Sequence, residues 1–162
     1  MQQTFKGFLI RDWQPLDRER AFNVIRIVLD EYGLICEPTG SDVDAYQVEA
    51  HYLEAGGEFW VVEHQGQVIG TAGYYPITRG KKSVEIRKMY LLPDVRGQGL
   101  GRHLLHTLEQ TIKEKGFKEI WIETASVLKE AVILYEKSGY QPTSGVETAR
   151  CDRIYVKRLS SP

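Results

Sequence analysis

The chain has 162 residues, 42% hydrophobic and 27% charged, with a formal net charge of −1, a composition that suits one globular domain with a sizeable core, so residues 1–162 are read as a single domain. A near-neutral balance argues against a dedicated nucleic-acid binder, which carries a clear basic excess. No apolar run approaches the roughly 18 residues of a membrane span, and the N-terminus MQQTFKGFLI lacks the long apolar segment of a signal peptide, so neither nucleic acid nor membrane is an expected partner and the cytoplasm is the expected location.

In chain order, FKGFLIRDW (residues 5–13) reads as a short strand. Asp17 is a candidate N-cap for a helix to about Gly33, since Ala21, Val24, Ile25, Val28 and Leu29 recur on one face. Residues 34–41, with Pro38 and Gly40, form a loop, and a more polar helix is expected from Asp42 to Glu54, stopped by Gly56-Gly57. EFWVVE (58–63) and VIGTAGYYPI (68–77) are strands joined at HQGQ, and VEIRKMYLL (84–92) is a third strand after the turn TRGKKS. From Gly99 to Lys115 a helical stripe of Gly101, Leu104, Leu105, Leu108 and Ile112 ends at Gly116. KEIWIET (118–124) is a strand, a short helix runs from about Ser126 to Ser138 before Gly139, and RIYVKRL (153–159) is the last strand. Helices at the front, antiparallel strands, then a strand–helix–strand–helix passage make a mixed α/β sheet.

The stretch Arg96-Gly97-Gln98-Gly99-Leu100-Gly101 stands between a strand broken at Pro93 and the leucine-rich helix. A helix leaves its first four N–H groups unpaired and carries partial positive charge there. A glycine-rich loop can turn successive N–H groups toward one point, and Arg96 can add a formal charge, which makes a diphosphate cradle. The alternative is a glycine-rich turn that binds nothing. The dinucleotide fingerprint fails because residue 102 is arginine, and the P-loop fails because Gly101 is followed by Arg-His.

VEIRKMYLLPDVRGQGLGRHLL resembles the acetyl-CoA motif of the GNAT superfamily of acyl-CoA-dependent N-acetyltransferases, and AVILYEKSGY (131–140) resembles that family's second motif. The resemblance covers roughly residues 58–159. It implies a GNAT-type α/β fold: a mixed, mostly antiparallel central sheet with a cofactor cleft between two splayed strands, flanked by about four helices. It implies acetyl-CoA as acyl donor, with no metal. The pyrophosphate would sit on Arg96, Gly97, Gln98, Gly99, Leu100 and Gly101 with Arg102 just beyond, and the pantetheine arm would pair with the backbone of Met89, Tyr90 and Leu91. That requires the strand at 84–91 to part from the strand at 119–124, with a bulge near Met89–Leu91 as the local device. The same backbone would meet the thioester oxygen as it becomes negative.

By the same resemblance Tyr135 matches the general acid that protonates the leaving thiolate. Leu128, Ala131, Val132 and Tyr135 also form an i, i+3, i+4, i+7 stripe, which equally suits a core tyrosine. An acceptor amine, with a pKa near 10, must lose a proton before it attacks. Glu85 and Glu123 each align with a glutamate used as base in some relatives, and Glu85 is the favoured one. Many relatives carry an asparagine seven positions before the tyrosine, where this chain has Leu128. No Cys or Ser stands out as a covalent nucleophile, so transfer is expected by direct attack in a ternary complex. Cys36 and Cys151 fit no metal spacing and read as idle thiols, a disulfide between them being left open. His103 and His106 read as solvent-facing, and alternation turns one of Tyr74 and Tyr75 inward. The acceptor is a primary amine, on a small molecule or on a protein or peptide, and a homodimer is the family-level expectation. The alternative function is a non-catalytic acyl-CoA-binding or sensing domain.

Overall fold

In the computed structural model, which describes residues 1–160, the strand β3 (Glu58–His64) carries Phe59 and Val61 on one face and Trp60 and Val62 on the other, all buried. A strand covered on both sides loses the apolar–polar alternation of a half-exposed one, which is why EFWVVE reads as a nearly continuous apolar run. The remaining strands and α-helices are β1 (Gln2–Phe5), β2 (Phe8–Asp12), α1 (Arg18–Glu31), α2 (Val43–Tyr46), β4 (Gln67–Ile77), β5 (Ser83–Leu91), α3 (Leu100–Glu114), β6 (Glu119–Thr124), α4 (Lys129–Lys137), β7 (Gln141–Pro142) and β8 (Arg153–Arg158). They build one eight-stranded sheet in the order β1-β2-β3-β4-β5-β6-β8-β7, antiparallel everywhere except between β5 and β6. The apolar face of α1 packs with Ala45, Val48 and Tyr52 against Phe59 and Val61. On the opposite face α3 and α4 cover Trp60, Val62, Ile86, Ile120 and Ile122. Among the described residues no helix is long and apolar enough to cross a membrane.

Two expected elements divide. FKGFLIRDW is not one strand: Lys6 and Gly7 both take positive φ (48° and 85°), turning the chain into a hairpin of β1 with β2. A two-residue turn with both centres left-handed matches the twist of paired strands. The helix expected over 42–54 breaks at Gln47 (φ −97°, ψ 59°) into α2 and a π-helical turn over Glu49–Leu53. Asp42 stands outside α2 as its N-cap (φ −113°, ψ 12°), so it and Asp44 are not forced onto opposite faces, and both are buried. The strand β7, which pairs only Gln141 and Pro142 with β8, carries no strand pattern in the sequence.

The sheet opens at one place. β5 pairs with β6 only over Ser83↔Glu119, Val84↔Ile120 and Glu85↔Trp121, while β5 stays paired with β4 as far as Leu91. Past Glu85 one edge of β5 therefore faces a gap. The pairing with β4 steps from Thr71↔Tyr90 to Gly73↔Arg87, so Lys88 and Met89 oppose a single residue. This bulge lies slightly earlier than Met89–Leu91. Lys88 adopts φ 54°, and its carbonyl accepts the Thr71 hydroxyl at 2.7 Å.

Candidate active site

The gap beyond Glu85 widens into a cleft of about 590 Å³ that reaches from the glycine loop to the loop before β8. Its wall includes Met89, Tyr90 and Leu91 from β5, Arg96, Gly97, Gly99, Gly101 and Arg102 from the loop and first turn of α3, and Glu85, Glu123 and Tyr135. Sequence-named positions far apart in the chain are thus brought into one cavity. Two lie off the wall: Leu100 is buried in the core beneath α3, and Gln98 is exposed, its carbonyl accepting Lys6 Nζ at 3.2 Å.

The loop has the form of a cradle. Gly97 and Gly99 have φ 78° and 82°, a region where a side chain is strained, and a Cβ at either would meet nothing within 4 Å. The first intrahelical bond of α3 runs from the His103 N–H to the Gly99 carbonyl at 3.0 Å, and no side chain caps the helix. The N–H groups of Leu100, Gly101 and Arg102 are thus left to whatever fills the cleft. Arg96, expected to lend its charge, is held from behind: both arms grip Glu31 of α1 at 2.8 Å and Nε donates to the Leu91 carbonyl at 3.0 Å. Arg96 therefore sets the shape of the loop, and Arg102 has no ion-pair partner among the described residues.

Glu85 and Glu123 both face the cleft but are held differently. Glu123 Oε1 accepts the N–H groups of Glu147 (3.0 Å) and Thr148 (2.8 Å), and Oε2 lies 3.6 Å from Arg79. Its carboxylate anchors the loop before β8. Glu85 receives one hydrogen bond, from the Tyr75 hydroxyl to Oε2 at 2.6 Å, and burial pushes its pKa above the ordinary value. Tyr74, one residue earlier, is the inward member of the pair. Tyr135 packs among apolar neighbours, and burial holds its phenol well above its usual pKa. Its hydroxyl has no partner among the described residues, nor is it one of the sealed, unsatisfied atoms, a status left to Trp13 Nε1. The hydroxyl therefore meets the cleft.

Sequence reasoning missed a buried ionic network behind this wall. Lys88 Nζ lies 3.2 Å from both Asp42 and Asp44, Arg150 grips Asp42 with both arms, and the Tyr52 hydroxyl donates to Asp44 at 2.5 Å. Cys151 stands in the cleft wall beside Arg150, and burial raises its thiol pKa; it and Cys36 are free, so no disulfide joins them. Arg87 had a usable signal, because it follows Glu85 by two residues and so shares its face of β5. His103 stacks on Phe5, and no group of three or more metal-ligating side chains occurs among the described residues.

A family model described as the acetyltransferase (GNAT) family matches residues 23–140. An uncharacterized N-acetyltransferase of Escherichia coli, YjgM, is 38% identical over 128 residues, 77% of either chain. The chain also matches mouse and rat N-acetyltransferase 8-type proteins at 33% and 30% identity, and its matched part spans about half of their length, 45% and 51%. Among solved structures, an acetyltransferase of the GNAT family from Staphylococcus aureus Mu50 superposes with a TM-score of 0.86 at 20% identity, covering 94% of this chain and 99% of that one. The acetyltransferase yncA of Salmonella typhimurium, solved with its cofactor acetyl-CoA, gives 0.75 at 21% identity over 97% and 96%. At these identities the structural likeness speaks for the fold alone.

Proposed function

The chain belongs to the acetyltransferase (GNAT) family, and from that premise we propose that it acts as one domain to move an acetyl group from acetyl-CoA to a primary amine by direct attack in a ternary complex. The observation that carries the reading is the pairing, in one cleft, of a half-buried carboxylate with an unclaimed oxygen (Glu85) and a protonated phenol with no partner among the described residues (Tyr135). Acetyl-CoA, named with the Salmonella neighbour, fits what the residues offer. The uncapped N–H groups of residues 100–102 suit its pyrophosphate, and the open edge of β5 suits an arm that adds as a strand.

When bound, acetyl-CoA supplies a thioester carbonyl, and the net change converts ammonium and thioester into amide, free thiol and one proton. Glu85 takes the first proton from the acceptor ammonium, freeing the lone pair that forms the new C–N bond. A backbone N–H of β5 near Leu91 holds the carbonyl oxygen as it gains negative charge. As the C–S bond breaks and its electron pair leaves on sulfur, Tyr135 gives that sulfur its phenolic proton. The surplus proton on nitrogen restores Tyr135, and the Glu85 proton passes to solvent. Glu123, bound by two backbone N–H groups, positions the loop before β8. Cys151 stays a thiol at neutral pH because its burial disfavours the thiolate, which supports direct attack over a covalent enzyme intermediate.

The test is thiol release from acetyl-CoA across an amine panel. Wild type should turn over at least one amine, and Tyr135→Phe should lower kcat by about 100-fold with unchanged acetyl-CoA affinity. Thermal stabilisation by acetyl-CoA without turnover of any amine would replace this reading with that of an acyl-CoA sensor.

A further inference from the structure

Four arginines of this chain, Arg11, Arg18, Arg96 and Arg150, each hold a carboxylate with both arms. Arg87 lines the cleft with a side chain only 21% exposed and does not. Its nearest carboxylate oxygen, Asp44 Oδ1, is 4.0 Å away and already within 3.2 Å of Lys88. What remains to it are two long hydrogen bonds, to the Tyr75 hydroxyl (3.3 Å) and to the Ser41 carbonyl (3.5 Å). A guanidinium has five donors in a planar fork matched to a carboxylate. Keeping one largely out of water with its fork half-used is costly unless a ligand completes it.

The surroundings say where that ligand sits. Glu85 and Arg87 leave β5 on one face, and the Tyr75 hydroxyl touches both, donating to Glu85 at 2.6 Å and accepting from Arg87. Their head groups are therefore separated by no more than two hydrogen bonds laid end to end. Among the described residues the ion-pair partners of Arg87, Lys88 and Arg150 are the two buried carboxylates Asp42 and Asp44, and Glu85, the next carboxylate along β5, loses its charge whenever it accepts a proton.

We propose that the acceptor is an amino acid, an amine with a carboxylate one or two carbons away, and that Arg87 seats this carboxylate while Glu85 receives the ammonium. The proposal rests on the transferase reading above and narrows it. A residue at a protein N-terminus, whose carboxyl is tied up as an amide, offers Arg87 no negative charge and is excluded as the preferred acceptor.

The experiment compares the common L-α-amino acids with their carboxamides and with their decarboxylated amines, using wild type, Arg87→Gln and Arg87→Lys. In parallel, N-acetyl-amino acids and their amides are titrated calorimetrically into the enzyme with coenzyme A present. The free acids should be favoured over the carboxamides in kcat/KM by about 10- to 100-fold, carried by KM. That ratio should collapse in Arg87→Gln and persist in part in Arg87→Lys, which keeps the charge without the fork and serves alone if the glutamine variant does not fold. Acids no better than carboxamides, or a preference indifferent to Arg87, would overturn the proposal. If no amine is turned over, the transferase reading fails and the titration decides the carboxylate seat by itself: Arg87-dependent binding of the acid sustains it, equal binding of acid and amide rejects it.

Discussion

A carboxylate that must take a proton from an ammonium needs one oxygen unclaimed and a proton affinity above that of a solvated acid. Glu123 has Oε1 taken by two N–H groups and Arg79 at 3.6 Å from Oε2, so its remaining oxygen faces a cation, whereas Glu85 keeps Oε1 without a hydrogen-bond partner among the described residues and its burial raises its proton affinity. The sign of the pH dependence follows. As the proposed base, Glu85 would work only when ionised, so kcat/KM should rise with pH through its pKa, which burial places above the ordinary carboxylate value of about 4.3. The Tyr75 hydroxyl favours the ionised form and limits that rise. Tyr75→Phe should therefore move the acid limb to higher pH, and Glu85→Gln should abolish the limb and lower kcat by about 100-fold or more. A pH–rate profile of the three proteins checks this; a limb unchanged in Glu85→Gln would assign the base elsewhere.

Among the elements, the loop leading into α3 was the most legible in the sequence, because glycine at positions of positive φ and the apolar stripe of a helix are both local signals. The strands β3 to β6 were legible for the same reason. The Lys6-Gly7 hairpin was not, since lysine is an unusual residue for a left-handed turn position, and the break after α2 was not, since Tyr46-Gln47-Val48 holds no glycine or proline to signal it. The loop's conformation and its charge can be tested apart. Gly99 has φ 82° and open space before it, so Gly99→Ala introduces strain alone, about 1–2 kcal/mol of stability. Gly99→Glu adds a carboxylate at the proposed anion seat. Both variants should melt at similar temperatures, while isothermal titration should find acetyl-CoA affinity reduced far more by glutamate, by about 100-fold. Equal affinities in the two would place the pyrophosphate away from this loop.

In the whole molecule, the site is divided between what one segment carries and what the fold assembles. Glu85 on β5, Tyr135 on α4 and the glycine loop before α3 each lie within one short stretch of sequence and could be named from it as candidates. The network of Lys88, Asp42, Asp44 and Arg150 could not, because its members come from β5, the start of α2 and the loop before β8, with Arg150 and Asp42 separated by 108 positions. This network joins the α1–α2 layer to both lips of the cleft and fixes the bulge at Lys88 that shapes the open edge of β5. Burial alone would raise the pKa of Asp42, but Arg150 and Lys88 outweigh it and hold the carboxyl well below the usual range. A depressed pKa contributes stability that is present above the unfolded value, about 3.9, and is lost as pH falls through the folded one. Asp42→Asn leaves the buried Lys88 with Asp44 alone and Arg150 without its carboxylate. Removing one partner of a buried pair costs about 3–5 kcal/mol, which for a chain of this size lowers the melting temperature by roughly 10 °C. Melts followed by circular dichroism at neutral pH and near pH 3 should find the gap between the two proteins wide at the first and narrower at the second, because near pH 3 the unfolded wild-type carboxyl binds a proton that the folded one still resists, while asparagine has no proton to bind. A gap that does not change with pH would mean that Asp42 stabilises the fold by its shape and hydrogen bonds rather than by its charge.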